Sequence, residues 1–237
     1  MNIDLSLPPQ FSKPTFFDIL GEVRAPFEFA SIALNVKTLR KAPKGNGQPV
    51  MLVPGYLADD YSMGPLGAFL QYLGYDVYYT EMGRNMGNIN TDMMRLGNRV
   101  GSISQALGAK KVTLIGWSLG GVITREVARL FPDVVQQVLT LGTPIVGGPK
   151  FTSVGKMYTK LNNIDLEKFE LDVHQRNSIG LTQPVTSIYS KSDGVVSWQA
   201  SVDIYNQHAV NIEVTGSHIG LGINPKVWLT IANVLGK

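Results

Sequence analysis

Residues 111–132 read KVTLIGWSLGGVITREVARLFP, and the fold turns on this stretch. It opens with the pattern of a buried strand over 111–115. Gly116-Trp117-Ser118-Leu119-Gly120 follows at once, and then a helical pattern over 119–131 that Pro132 ends. Strand, glycine-bounded turn and helix thus succeed one another without a linker.

The same alternation continues in both directions. Upstream, Val50-Met51-Leu52-Val53 is a short strand closed by Pro54-Gly55. A helix is predicted over 62–73, with Leu66, Phe69, Leu70 and Leu73 on one face and Asp59, Asp60 or Ser62 as its cap. Residues 75–80 form a strand ended by Gly83, and 91–107 a helix closed by Gly108. Downstream come a strand within 134–141, then Gly142-Thr143-Pro144, strands over 185–189 and 211–214, and a last helix over 225–235. Strands alternating with helices predict a doubly wound, mostly parallel sheet with helices on both faces. Ligands of such sheets bind beyond the carboxyl ends of the strands, so candidate chemistry is sought directly after each strand.

Composition narrows the class. The chain has 237 residues, 44% hydrophobic and 16% charged, which suits one globular core rather than a disordered segment. Its net charge of +3 lacks the dense Lys and Arg clusters of a nucleic-acid binder. The absence of cysteine excludes disulfides, thiolate metal sites and a Cys nucleophile together. Residues 1–10 make a poor secretory signal, and no stretch reaches the ~20 apolar residues of a membrane span, so a cytoplasmic location is expected.

Ser118, on a strand-to-helix turn, is the candidate nucleophile. Such a turn is strained and holds the hydroxyl above the sheet, and glycines two positions either side let backbone and helix approach. The alternative, a plain helix cap, explains the serine but not both glycines. No Gly-Lys-Ser/Thr ending supports a phosphate loop. Removing the serine proton needs a base, and the chain has only His174, His208 and His218. His218 follows the strand at 211–214 and so lies at the correct edge of the sheet. His208 precedes that strand at the opposite edge. His174 falls in an irregular section, as an outer-loop or substrate-facing residue. Asp193, just past the strand at 185–189, is the carboxylate expected to orient His218, whereas Asp203 is expected in the connection heading back under the sheet. The oxyanion would be held by the backbone N–H groups of Leu119 and of Tyr56, which follows Pro54-Gly55. Neither metal nor organic cofactor is required.

Taken together, these residues resemble the α/β-hydrolase superfamily, in its bacterial esterase and lipase form. Leu52-Val53-Pro54-Gly55-Tyr56, residues 116–120, Asp193 and His218 match its oxyanion, nucleophile, acid and base motifs in chain order, over about 50–235. Leu141-Gly142-Thr143-Pro144 with Gly147-Gly148 resembles a loop of bacterial lipases. Pro54-Gly55 stands where many relatives have His-Gly. The resemblance implies a core over 49–143 and 185–237 with reduced N-terminal strands, an N-terminal segment 1–48 packed on it, and a lid or cap at 144–184. It also implies hydrolysis of a small acyl ester or lipid through a Ser-His-Asp triad. A thioesterase using the same triad and a non-catalytic binding protein of the same fold are the alternatives.

Two segments carry secondary expectations. Leu161, Ile164, Leu166, Phe169 and Leu171 would give the cap apolar faces over an acyl pocket. Residues 15–44 combine apolar side chains such as Phe16, Phe17, Phe27 and Leu34 with Lys37, Arg40, Lys41 and Lys44. This segment reads either as a peripheral membrane contact or, the reading favoured from sequence, as a helix packed on the domain with a solvated basic end.

Overall fold

Residues 8–236 are described by a computed structural model; residues 1–7 of the N-terminal stretch weighed as a secretory signal lie outside them. Two helices come first, α1 (Phe16–Leu20) and α2 (Ala25–Leu39), joined by a 3-10 turn at Gly21–Arg24. The alternating part follows: β1 (Pro49–Val53), α3 (Gly64–Tyr72), β2 (Asp76–Tyr79), α4 (Ile89–Ala106), β3 (Val112–Trp117), α5 (Leu119–Leu130) and β4 (Val135–Leu141). Helices α6 (Gly155–Leu161) and α7 (Leu166–Ser178) lie between β4 and β5 (Val185–Tyr189). The chain ends with α8 (Trp198–Ser201), β6 (Val210–Glu213), α9 (Gly220–Ile223) and α10 (Pro225–Leu235).

All six strands are parallel, in the order β2-β1-β3-β4-β5-β6. The strand period of two explains why the central runs are continuously apolar. Val50 and Leu52 enter one core with Ile115, Leu139 and Leu141, whereas Met51 and Val53 enter the opposite one with Leu114 and Val138. The first core is closed by α2, α3 and α10 through residues such as Leu39, Leu70 and Ile231. Helices α4 and α5 close the second through Val100, Ile123 and Val127.

The strand order reverses at β1. From there the chain moves outward to β2 and then back across to β3, which opens a crevice beyond the carboxyl ends of β1 and β3. Tyr56 and Ser118 follow those two strands.

Two local readings change, and a third holds. The helix expected from residue 62 begins at Gly64, because Asp59 caps a 3-10 turn at Asp60–Met63 through Tyr61 N–H. The section 144–184, without strand pattern in the sequence, carries α6 and α7 and one antiparallel bridge, Thr152 to Val196. Residues 16–39 are helical, and among the described residues no strand precedes β1, in keeping with the reduced N-terminal strands expected.

Candidate active site

Ser118 has φ 55° and ψ −122°, a conformation that a non-glycine residue adopts only when its surroundings force it. Ser118 N–H donates to Leu141 O (2.8 Å), and Ser118 O accepts from Gly121 N–H and from the Thr143 hydroxyl (both 3.0 Å). The flanking glycines are steric necessities. A Cβ on Gly116 would lie 2.5 Å from the Gly120 carbonyl, and one on Gly120 would lie 2.3 Å from Val53 O. Gly121, which the sequence pattern does not single out, faces Thr143 in the same way.

Asp193 and His218 meet. His218 Nδ1 lies 2.7 Å from Asp193 Oδ2, and both side chains are buried. An ionised carboxylate only accepts, so Nδ1–H is the donor and Nε2 is left with its lone pair. Asp193 Oδ1 accepts from Val195 and Val196 N–H (2.8 and 2.7 Å), which fixes the carboxylate. Burial by itself would depress the His218 pKa. The Asp193 charge and hydrogen bond, with Glu22 nearby, outweigh it and raise the pKa above the ordinary value.

The pair is anchored to both neighbours of the serine turn. Trp117 Nε1–H donates to His218 O (3.1 Å). At Gly142, φ is +53°, and a Cβ there would stand 2.9 Å from Asp193 Oδ2 and 3.0 Å from His218 Nδ1. Glycine at this strand end is therefore what lets the pair sit beside Leu141, the residue bonded to Ser118 N–H.

The other candidates lie elsewhere. His208 is exposed ahead of β6, as expected. His174 corrects its reading as an outer-loop or substrate-facing residue: it is buried on α7, with Nδ1 3.0 Å from the Tyr205 hydroxyl. Asp203 is buried, pairs with Arg125 (2.6 Å) and accepts from Tyr205 and Asn206 N–H, a structural hub away from the His218 loop.

Glu22 was missed from the sequence. Its carboxylate accepts from Gly194 N–H (2.8 Å), His218 N–H (2.8 Å) and Ile219 N–H (3.0 Å), so one side chain clips the Asp193 loop to the His218 loop. Glu28 accepts from Ser217 N–H and the Ser217 hydroxyl (both 2.9 Å). Arg24 donates to Ser192 O (2.6 Å). No local signal marks these residues, because their partners lie 168–197 positions away.

Tyr56, Ser118 and Leu119 line one pocket of about 720 Å³, counting its open mouth. As the first helical residue, Leu119 has an N–H with no helical acceptor. The next two amides of the Tyr56 loop, Leu57 and Ala58, donate to Asn85 O and Gly55 O. Asn85 Nδ2 reaches back to Pro54 O (3.0 Å), so the 83–88 loop braces the 54–58 loop. Arg84 in that loop is exposed. Along α5 the pocket wall runs from Ser118 past Val122 to Arg125, seven residues and about 10 Å. Ile145, Val173 and Val196 make it apolar, while Glu126, set between Arg129 and Arg176, marks a charged end. From the predicted cap face, Phe169 lines the pocket, but Leu161 and Leu171 are exposed. Tyr158 also lines it and donates to Gly87 O (3.1 Å); burial, with Tyr56 and Asp92 nearby, pushes its pKa up to about 12, so it stays a neutral donor. Among the described residues no three His, Asp or Glu side chains converge as a metal site requires.

A family model described as the alpha/beta hydrolase fold matches residues 48–170. Among solved structures, the chain is similar to a lipase from Bacillus licheniformis (TM-score 0.61, 13% identity, covering 83% of this chain and 95% of that one). It is also similar to a monoacylglycerol lipase from Paleococcus ferrophilus (TM-score 0.58, 18% identity, 81% and 96%). A third is a thioesterase domain from the curacin biosynthetic pathway (TM-score 0.54, 13% identity, 83% and 93%). At these identities the likeness is one of fold, and the family match spans just over half of the chain. With its parallel six-stranded sheet and the crevice at the β1–β3 reversal, the protein belongs to the α/β-hydrolase family.

Proposed function

We propose that the protein hydrolyses carboxylic esters, with Ser118 as nucleophile, His218 as general base and acid, and Asp193 as the group that orients His218. The observation that carries this reading is the buried Asp193–His218 pair, anchored through Trp117 and Gly142 to the two sides of the strained Ser118 turn. In this mechanism Ser118 Oγ attacks the ester carbonyl while its proton passes to His218 Nε2. The tetrahedral oxyanion is met by the Tyr56 and Leu119 N–H groups, each worth roughly 10²–10³ in rate. The imidazolium then protonates the leaving alkoxide, and water, activated by the same imidazole, releases the acid. The sequence needs no metal or organic cofactor.

The acyl group is assigned to the apolar pocket along α5, with the 144–184 section as a cap that supplies Tyr158, Phe169 and Val173 to its wall. Labelling with a fluorophosphonate tests the nucleophile: wild type is labelled and Ser118→Ala is not. Equal labelling of the two, or labelling of neither, removes Ser118 from the role, and labelling of neither favours a binding protein. A p-nitrophenyl ester series beside an acyl thioester separates an esterase from a thioesterase.

A further inference from the structure

The N-terminal helical segment carries apolar side chains on its outer side as well as on its inner one. Its inward positions carry Glu22 and Glu28, both engaged in hydrogen bonds to the 194 and 217–219 amides. Ala25 and Leu39 are the only fully buried residues of α2. The outward positions are apolar: Phe17 is 81% exposed, Phe27 77% and Leu34 88%, with Phe16, Leu20 and Val23 exposed beside them. Within α2 the exposed row runs Phe27, Ala30, Leu34, Lys37, at helical spacings of three and four. This outer row is additional to the inner apolar residues Ala25, Ile32 and Leu39 that face the core.

The sequence favoured a helix packed on the domain with a solvated basic end. The helix is packed, through Ala25, Ile32 and Leu39 together with Glu28. Folding therefore gains nothing from the outward aromatics, and contiguous exposed apolar surface of this kind marks a contact with something else.

We propose that the outer face of residues 16–41 docks on an anionic lipid bilayer. Charge selects that occupant. Every exposed charged residue between 11 and 44 is basic: Lys13, Lys37, Arg40, Lys41 and Lys44. The acids of the segment are turned inward or, like Asp18, taken up in a cap. A second copy of this face would add like charges, whereas an anionic surface neutralises them while the phenylalanines enter the acyl boundary. A 15-residue helix of about 22 Å lies in the interface plane rather than across it. Among the described residues no helix is long and apolar enough to cross a membrane. The proposal stands independently of the ester-hydrolase reading, since docking requires no turnover.

Vesicle co-sedimentation tests it, using phosphatidylcholine alone and an equimolar mixture with phosphatidylglycerol. Wild type is expected on the anionic vesicles and released from them by salt. Phe16→Ser/Phe27→Ser/Leu34→Ser, all at exposed positions, should partition at least about tenfold more weakly. Lys37→Glu/Lys41→Glu should lose roughly thirtyfold on the mixed vesicles and little on phosphatidylcholine alone. The charge reversal, placed away from Glu22 and Glu28, decides the matter if the apolar variant loses its fold by circular dichroism. Wild type remaining in the supernatant overturns the proposal, as do variants that bind like wild type. A wild-type dimer that the apolar variant disperses, with no vesicle binding, overturns it in favour of a second copy. Point substitutions are required, since truncating the segment would also remove Glu22 and Glu28.

Discussion

At Ser118 the backbone pays about 1–3 kcal/mol to hold φ 55° and ψ −122°. Glycine would relax that conformation, so Ser118→Gly should raise Tm by roughly 2–4 °C, with Ser118→Ala gaining little. Both should lose roughly 10⁴–10⁶ in ester turnover, and calorimetry beside a p-nitrophenyl assay reads the trade directly. A pH profile follows from His218. In the proposed mechanism the neutral imidazole is the base, so kcat/KM should climb as pH rises through its pKa. Because that pKa is raised, the acid limb should lie above the ordinary value of about 6.5. Asp193→Asn removes the largest raising influence, so the limb should move to lower pH and kcat should fall by about 10⁴. A wild-type limb below 6.5 would mean that burial outweighs the Asp193 charge at His218.

Between elements, the contacts around β3 and α5 leave no room for side chains. Gly116→Ala and Gly120→Ala place a Cβ against backbone and should each cost roughly 1–3 kcal/mol or more in denaturant unfolding. Gly101 is the internal control: it sits within α4 with open space around it, so Gly101→Ala should stabilise by about 0.5–1 kcal/mol. The 3-10 turn between α1 and α2 carries Glu22 to the two loops that hold the candidate acid and base. Glu22→Gln keeps an acceptor but removes the charge, so the acid limb should shift to lower pH. Glu22→Ala leaves three backbone amides without their acceptor and should lower kcat with KM little changed. An unaltered profile in both variants would reduce Glu22 to packing alone.

Across the whole molecule, two surfaces converge on the same strand ends. The pocket along α5 opens beside Ser118 and is walled by the 144–184 section, while the N-terminal segment braces the His218 loop from the other side. Phe169→Ala enlarges the pocket on its 144–184 side. It should reduce the preference for a medium-chain over an acetyl p-nitrophenyl ester by about tenfold, with acetate turnover held. Equal loss on both esters would count against the 144–184 section as a determinant of acyl length.

Much of this arrangement was legible in the chain. The turn at 116–120, the strand ends before Tyr56, Asp193 and His218, and the helix at 225–235 all rest on local periodicity and on Gly and Pro punctuation, which adjacent residues encode. Local pattern was insufficient for the N-terminal segment. Phe16, Phe17, Phe27 and Leu34 look like a core face in sequence, yet they point outward, because the inner side is taken by Ile32 and Leu39 in the core and by Glu22 and Glu28, which accept from amides nearly two hundred positions later. His174 likewise reads as available and is buried against Tyr205. The sequence by itself determined the alternating fold and the order of the serine, aspartate and histidine along it. Which side of a helix faces the protein, and which carboxylate ties two loops together, was decided only in three dimensions, because those partners are distant in the chain and adjacent only once the sheet has formed.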